Sequence, residues 1–339
     1  MHYLLSSYLP LALLAAFKAK WHLDRFWDHA VLPSSARTEV RREAQADALN
    51  DHAIDVVMGE ALGWLKRAQD HSLSRDGGIA RDYTLGKGWS TPYPETTGYA
   101  IPTLIREARR RDDPDLLERA RKMLDWLAKI QMPCGAYQGG PIGAAPVVEV
   151  TFNTGQILLG LAAGAREFGE PYRTAMCRAA DWLISTQDAD GCWRRYPTPF
   201  AEPGEKVYET HVAFGLLEAA RIQPQRGYAE AAMRNIEWAR DYQTANGWLE
   251  RCCLVSPGFP LTHTLGYALR GFVEAYRFSR EGQWLEVARK TADGLLGALG
   301  PDGFLPAGFA MAKQRHLVLP QWHLAGGDLL AVALPGNGR

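Results

Sequence analysis

Acidic and imidazole side chains lie where polar stretches of the sequence lead into apolar helices. One stretch, Pro-Glu-Thr-Thr-Gly, contains Glu95, and another, Tyr-Glu-Thr-His, contains Tyr208, Glu209 and His211. Carboxyl and imidazole groups are common general acids and bases. Two carboxyl groups on one cavity would suit hydrolysis of a glycosidic bond, whereas a His or Tyr base would suit proton abstraction beside a uronic-acid carboxylate. Hydrolase, lyase and epimerase chemistry all remain open at this point.

Other polar and aromatic residues come just before, or at the start of, similar helices, and they complete a predicted saccharide site. Such sites need flat aromatic faces, together with Arg or Asn side chains that hold hydroxyl and carboxylate groups. His263 is a further candidate catalytic residue, and His323 and Asp328 would line the same cavity. The predicted substrate-binding residues are Arg81, Trp89, Tyr93, Tyr137, Asn153, Trp193, Trp248, Glu250 and Arg251. In a lyase or epimerase, Asn153, Arg251 or a helix N-terminus would neutralise the developing enolate.

An internal repeat indicates the fold that positions these residues. The segments "ALGWLKRAQ", "MLDWLAKIQ", "AADWLISTQ" and "NIEWARDYQ" each carry Trp followed five residues later by Gln, and a turn containing Gly follows each segment. From the second copy onward the step is 56 residues. The repeated positions are Trp126, Trp182 and Trp238; Gln131, Gln187 and Gln243; and Gly135, Gly191, Gly247 and Gly303.

Each repeat predicts an amphipathic outer helix, a Gly turn and an inner helix rich in Gly, Ala and Leu. Inner helices of this composition suit the crowded centre of a ring, so the sequence predicts an all-α fold, an α/α toroid of five to six hairpins. Residues 51–339 form the toroid domain, and residues 1–50 form a helical segment that would close the ring. Thr97, Thr154 and Thr210 are predicted N-caps, the three Trp residues are predicted wedges between helices, and Asp113 is predicted to begin a helix rather than bind a metal.

The segment "ADWLISTQDADGCW" resembles the QW repeat of terpenoid cyclase and protein prenyltransferase toroids. Gln187, Gly191 and Trp193 stand in the places of that pattern. The motif is structural in that family, so the resemblance implies the toroid fold more than an activity. Hydrolases, polysaccharide lyases and epimerases that act on glycans share this architecture.

The resemblance also implies an alternative function, that of an isoprenoid cyclase or prenyltransferase. Cyclases of that family protonate an alkene with an Asp-x-Asp-Asp motif, and this sequence has no such motif. A prenyltransferase zinc triad would need Cys252 or Cys253 with His263, at a spacing unlike the family's. A non-catalytic toroid that binds glycan or lipid is a third possibility.

The amino-acid composition limits the classes of partner that the chain is expected to bind. Lys plus Arg and Asp plus Glu are both 38, so the chain lacks the basic excess typical of nucleic-acid binding. Five cysteines without a C-x-x-C pair favour free thiols and a cytoplasmic location. We predict a saccharide substrate, no cofactor and no metal. The apolar residues 1–20 predict either a helix packed at the edge of the fold or one in peripheral contact with a membrane. The sequence does not give the oligomeric state.

Overall fold

A computed structural model of the chain describes residues 30–45, 53–301 and 303–309. The predicted membrane contact of residues 1–20, and the predicted roles of His323 and Asp328, lie outside the described residues. Residues 1–50 are described only in part, so their closing of a sixth hairpin stays a prediction.

Outer and inner helices alternate along the chain. Helix α1, Ser34–Gln45, precedes the repeats. The outer helices are α2 Ile54–Asp70, α4 Pro114–Ile130, α6 Tyr172–Thr186, α8 Tyr228–Arg240 and α10 Gly282–Gly297. The inner helices are α3 Pro94–Arg111, α5 Thr151–Phe168, α7 Thr210–Ala220 and α9 Thr262–Ser279. A 3₁₀ turn, Val207–Glu209, leads into α7, and two short antiparallel strands, β1 Tyr83–Thr84 and β2 Gly88–Trp89, pair Tyr83 with Trp89.

The connections between helices differ in length at the two ends of the fold. Residues 112–113 connect α3 to α4, whereas residues 131–150 connect α4 to α5. The inner helices contact one another in chain order, α3 with α5, α5 with α7 and α7 with α9, and the outer helices pack around them. The predicted all-α toroid is confirmed. Its long loops share one end with the N-termini of the inner helices.

Glycine lets the inner helices approach each other closely. A Cβ atom added at Gly98 on α3 would lie 2.5 Å from Ile157 Cα on α5. A Cβ atom at Gly155 on α5 would lie 2.8 Å from Val212 Cα on α7. Because real Cβ atoms do not approach a neighbouring backbone this closely, any larger residue would push the helices apart. This crowding explains why the inner helices are rich in small residues.

The repeated Gln fastens each outer helix to its own turn and to the next outer helix. Gln187 Nε2 donates to Gly191 O at 3.0 Å and to Ala231 O on α8 at 2.8 Å. Gln131 and Gln243 each make the corresponding bond to the following outer helix. The 56-residue step in the sequence is therefore the spacing of a repeated hydrogen bond between neighbouring units.

Replacement of Gln187 by Leu should lower the free energy of unfolding by about 1–3 kcal/mol, because the carbonyl groups of Gly191 and Ala231 each lose a hydrogen bond. The Gly191 carbonyl keeps its second bond, from Asn235 Nδ2. Urea denaturation measures this change. The control is Gln283→Leu, at an exposed position of α10, which should change stability by less than about 0.5 kcal/mol. Equal effects of the two substitutions would contradict a structural role for the repeated Gln.

A second repeated bond joins successive outer helices. Tyr172 OH donates to Asp125 Oδ1 at 2.6 Å, and Tyr228 OH donates to Asp181 Oδ1 at 2.8 Å. Both the tyrosines and the aspartates are 56 residues apart. The sequence analysis did not identify this pair, because neither residue belongs to the Trp and Gln pattern.

Two predictions about helix termini and packing are confirmed. The Asp113 carboxylate accepts hydrogen bonds from the backbone amides of Asp115 and Leu116, so it caps α4. Trp126 and Trp182 are buried, and Trp238 is half-buried against the core. The repeated Trp residues are therefore packing residues.

The prediction that the repeated Thr residues are N-caps is wrong. Thr97 and Thr154 lie within the first turn of their helices, and each hydroxyl donates to the carbonyl four residues earlier. Each also accepts an amide hydrogen bond from the preceding loop, from Ile79 and Tyr137 respectively. Thr210 instead donates to a carbonyl of α9. These hydroxyls therefore join loops and helices to each other instead of capping their own helix.

All five cysteines are free thiols. Within the described ranges, no helix has the length and the continuous apolar character that a bilayer-spanning segment needs.

Candidate active site

The N-terminal turns of α3 and α5 bring a carboxyl and an amide together. Asn153 Nδ2 donates to Glu95 Oε2 at 3.3 Å. Asn153 is buried, whereas Glu95 keeps part of its surface exposed. Burial raises the pKa of the Glu95 carboxyl to about 7, although the nearby Arg81 guanidinium acts in the opposite direction. A large share of this carboxyl is therefore protonated at neutral pH, and its partial exposure allows a ligand to reach it.

Tyrosines from the first and last described inner helices surround Glu95. Burial, and secondly the Glu95 charge, raise the pKa of Tyr267 on α9 to about 12. The same two causes raise the pKa of Tyr99 on α3 above its usual value. Because the charge of Glu95 on α3 raises the pKa of Tyr267 on α9, the starts of these two helices lie near each other. We call the space between the starts of the inner helices the Glu95 cavity.

Aromatic rings form a continuous wall between α5, α7 and α9. Phe152 packs edge-to-face on Tyr208, with ring centroids 5.2 Å apart, and lies at the same distance from Tyr267. The rings of His211 and Tyr267 are 5.0 Å apart, and those of His263 and Tyr267 are 6.0 Å apart. The predicted residues His211 and His263 are therefore brought together around Tyr267, and Tyr208 is joined to them through Phe152.

The imidazole of His211 is neutral at neutral pH. Its Nδ1 atom lies 2.7 Å from Gln156 Oε1. Burial, and secondly the Arg270 charge, lower the pKa of His211 to about 4. Burial also lowers the pKa of His263. At neutral pH His211 therefore carries a free lone pair and suits the role of a proton acceptor.

Glu209 lies in a different electrostatic environment from Glu95. Burial raises its pKa well above the usual value, and its charged neighbours are Lys206, Asp188 and Arg194 rather than Glu95. Its Oε2 atom has no hydrogen-bond partner in the described part of the chain. No hydrogen bond joins the two carboxyl groups among the described residues, but both act to raise the pKa of Tyr208, secondary to its burial. The two-carboxylate arrangement for hydrolysis therefore stays a prediction.

Two aromatic residues predicted to bind substrate are core residues. Tyr137 and Trp193 are 0% and 2% exposed. Trp193 Nε1 donates to Leu183 O at 2.9 Å, which anchors the ring on its own outer helix. Neither side chain can contact a ligand from this position. The prediction failed because the aromatic residue after the Gly turn folds back onto the hairpin.

The remaining loop tryptophans also pack against other aromatic rings. Trp89 lies 4.7 Å from the Trp64 ring of outer helix α2. Trp248 lies 4.6 Å from the Phe309 ring. Both are half-buried against the core. The structure does not bring either ring into contact with the wall around Tyr267.

Of the three charged loop residues predicted to bind substrate, only Arg81 lies near Glu95. The Arg81 guanidinium lies 5.6 Å from the centre of the Tyr93 ring and lowers the pKa of Glu95 against the effect of burial, so Arg81 and Tyr93 belong to the Glu95 cavity. Arg251 instead forms an ion pair with Glu205, and Glu250 is exposed. Arg251 and Glu250 are therefore not brought to the Glu95 cavity.

Cys252 and Cys253 are buried, and burial raises the pKa of both thiols. Among the residues that the structure describes, no three His, Cys, Asp or Glu side chains are grouped so that they could hold a metal ion.

Three residues of the cavity were missed by the sequence analysis. Each stands directly after a glycine of an inner helix: Tyr99 after Gly98, Gln156 after Gly155 and Tyr267 after Gly266. Their side chains reach the cavity from the second turn of the helix, beyond the helix starts that the sequence analysis considered. The shared Gly-Tyr-Ala sequence of α3 and α9 is the signal that could have identified two of them.

Three solved structures similar to this chain are described as enzymes of carbohydrates. An unsaturated glucuronyl hydrolase specific for heparin aligns with a TM-score of 0.57 and 15% identity, over 72% of this chain and 68% of that one. The cellobiose 2-epimerase of Spirochaeta thermophila aligns with a TM-score of 0.57 and 17% identity, over 74% and 72%. A GH76 α-mannanase of Bacteroides thetaiotaomicron aligns with a TM-score of 0.56 and 15% identity, over 71% and 68%. At these identities the likeness shows the fold alone.

No curated protein matches the sequence. Residues 95–276, more than half of the chain, match the family of squalene-hopene cyclase C-terminal domains. The matched region begins at Glu95 and contains Asn153, His211 and Tyr267. The chain therefore belongs to the squalene-hopene cyclase C-terminal domain family and has its α/α toroid architecture.

Proposed function

We propose that the chain is an enzyme that moves a proton on a saccharide, with Glu95 as general acid and neutral His211 as general base. The observation that carries this proposal is the position of Tyr267, whose ring lies 5.0 Å from the His211 ring and whose pKa is raised by burial and by the Glu95 charge. Around this residue the pKa of Glu95 is raised to about 7 and that of His211 is lowered to about 4. Environments that separate the pKa values of two titratable groups are typical of acid–base pairs. The reaction class is epimerisation or elimination.

The proposed step transfers one proton at a carbon beside a carbonyl or carboxyl group. The His211 lone pair takes the proton, the C–H electrons form a C=C bond, and the Glu95 proton passes to the carbonyl oxygen. Return of a proton on the opposite face gives an epimer, whereas departure of a neighbouring substituent gives an unsaturated product. Glu95 and Asn153 stabilise the enol through hydrogen bonds at its oxygen.

The aromatic wall supports a saccharide as the substrate class. Tyr267, Phe152 and Tyr99 offer ring surfaces on which the apolar face of a sugar can pack. Enzymes that act on oligosaccharides share the fold, which adds support by analogy only. Hydrolysis by two carboxylates is a weaker candidate, because neither Glu95 nor Glu209 is among the groups that shift the pKa of the other.

The test is solvent deuterium exchange. We expect reducing disaccharides or uronic-acid oligosaccharides incubated with the protein in D₂O to gain deuterium at one carbon, detected by proton NMR. Glu95→Gln and His211→Gln should each slow this exchange by about 10²–10⁴-fold. Glu118→Gln, at an exposed position of α4, is the matched control and should not. Turnover without deuterium at carbon would refute the proton-transfer mechanism.

An isoprenoid cyclase is the second candidate, because the family match spans the cavity. A protonated Glu95 would add its proton to an alkene, and the tyrosine rings would stabilise the carbocation. Incubation with linear C₁₅–C₃₀ polyprenyl substrates, followed by mass spectrometry of the extracted products, tests this candidate. A cyclised product would favour it over the saccharide enzyme. Saccharide binding without turnover would instead favour the non-catalytic toroid.

A further inference from the structure

Gln156 is a buried amide beside the proposed base. It follows a glycine on α5, as Tyr99 and Tyr267 follow glycines on α3 and α9. Gln156 is fully buried, and its Oε1 atom lies 2.7 Å from His211 Nδ1 on the neighbouring helix α7. A buried amide in contact with the proposed base indicates a specific task for this side chain.

The His211 ring is fixed by its packing as well as by this contact. Phe214 packs edge-to-face on it with ring centroids 5.6 Å apart, and Tyr267 lies against it at 5.0 Å. The titratable or charged groups near it on α9 are Tyr267, His263 and Arg270, the last with its guanidinium 5.0 Å from the Phe214 ring centre. No carboxylate is among the groups that shift the pKa of His211. The acceptor on Nδ1 is therefore a neutral amide oxygen.

We infer that Gln156 is a positioning residue that holds His211 as the Nδ1–H tautomer and so reserves Nε2 as the base, an inference that rests on the proposed function. A neutral imidazole has one N–H, and an acceptor on one nitrogen fixes that proton there. Without this acceptor the ring divides between two tautomers, and in one of them Nε2 carries a proton and cannot accept another.

The amide nitrogen of Gln156 lacks a hydrogen-bond acceptor, which indicates that a bound ligand supplies one. Gln156 Nε2 is buried, and it has no acceptor among the residues that the structure describes. A buried donor without a partner is costly. A substrate hydroxyl that accepted from Nε2 would satisfy the amide and also hold Oε1 on His211. Substrate binding and the tautomer of the base would then be coupled.

Nitrogen-15 NMR of the full chain with labelled histidine tests the inference without needing turnover. The chain has nine histidines, and His211→Gln assigns the signal. We expect the Nδ1–H tautomer in the wild type and in Gln156→Glu, with a higher pKa of His211 in Gln156→Glu because a carboxylate stabilises the imidazolium. Gln156→Met, which keeps the side-chain length and removes the acceptor, should populate the Nε2–H tautomer.

Exchange kinetics separate this inference from the proposed function. Gln156→Met should lower kcat for deuterium exchange by about 10- to 100-fold, and Gln283→Met on an outer helix should leave it unchanged. A wild-type His211 protonated on Nε2, or an unchanged tautomer in Gln156→Met, would overturn the inference. An Nδ1–H tautomer in a protein that exchanges no sugar proton would overturn the proposed function and leave the positioning role intact.

Discussion

Replacement of Glu95 by Gln should abolish turnover and make the protein more stable above neutral pH. Gln has nearly the shape of the protonated carboxyl and can still bond to Asn153, but it cannot supply a proton. Deuterium exchange should fall by about 10²–10⁴-fold. A simultaneous gain in stability is expected because a buried ionised carboxyl opposes folding, so the function of Glu95 is retained at a cost in stability.

The sign of the pH effect follows from proton binding. The pKa of Glu95 is about 7 in the folded chain and 4.5 for the ordinary side chain, so between these values the folded state binds more protons than the unfolded state. The free energy of unfolding therefore falls as pH rises from 4.5 to 7 and is flat outside this range. Each pKa unit corresponds to about 1.4 kcal/mol, so the loss is at most about 3 kcal/mol. The partial exposure of Glu95 reduces it.

Urea denaturation at several pH values measures this contribution. The stability difference between Glu95→Gln and the wild type should be smallest near pH 4 and should reach about 2–3 kcal/mol in favour of the variant at pH 8. Other titrating groups cancel in this difference because both proteins contain them. Glu118→Gln should show no such trend. A difference that is constant with pH would mean that the Glu95 carboxyl is not desolvated.

The repeat made the fold predictable from sequence, because its signals are local. A Gly that must adopt a positive φ, and a Gln that joins its own turn to the next helix, recur at fixed steps whatever the cavity contains. The contents of the cavity were less predictable. The position of an aromatic residue in a loop does not indicate which way its ring points. Trp193 folds back onto its own outer helix, whereas Tyr93 lines the cavity.

The electrostatic division between Glu95 and Glu209 was also invisible in the sequence. Both residues stand at the start of an inner helix, and both are buried enough for their pKa values to rise. The difference is in their neighbours, since Lys206 and Arg194 reach Glu209 from the preceding loop. The conformation of a loop of about twenty residues decides which charged side chains lie near each carboxyl group. The residue types alone do not predict that conformation.

Replacement of Gly191 by Ala should be among the most destabilising single-methyl changes in the chain. Gly191 has φ of +94°, and a Cβ atom would lie 2.6 Å from Arg234 O of the next outer helix. Two costs therefore add: the left-handed backbone, about 1 kcal/mol or more for a residue other than Gly, and a collision with backbone that cannot rotate away. We expect a total loss of about 2–4 kcal/mol, measured as a change in the free energy of unfolding by urea denaturation.

A matched control separates these two costs. Gly303 stands in the same repeated turn and also has a positive φ, +79°, but no atom of the described residues lies within 4 Å of its added Cβ atom. Gly303→Ala should therefore show only the backbone cost, about 1 kcal/mol. The additional loss of stability in Gly191→Ala measures the collision between neighbouring units. If the two variants lose free energies of unfolding that differ by less than about 0.5 kcal/mol, the outer helices do not pack this tightly. Because the corresponding glycines, Gly135 and Gly247, also meet the carbonyl of the next outer helix, the same excess is expected at each of them, and the toroid depends on glycine wherever one unit meets the next.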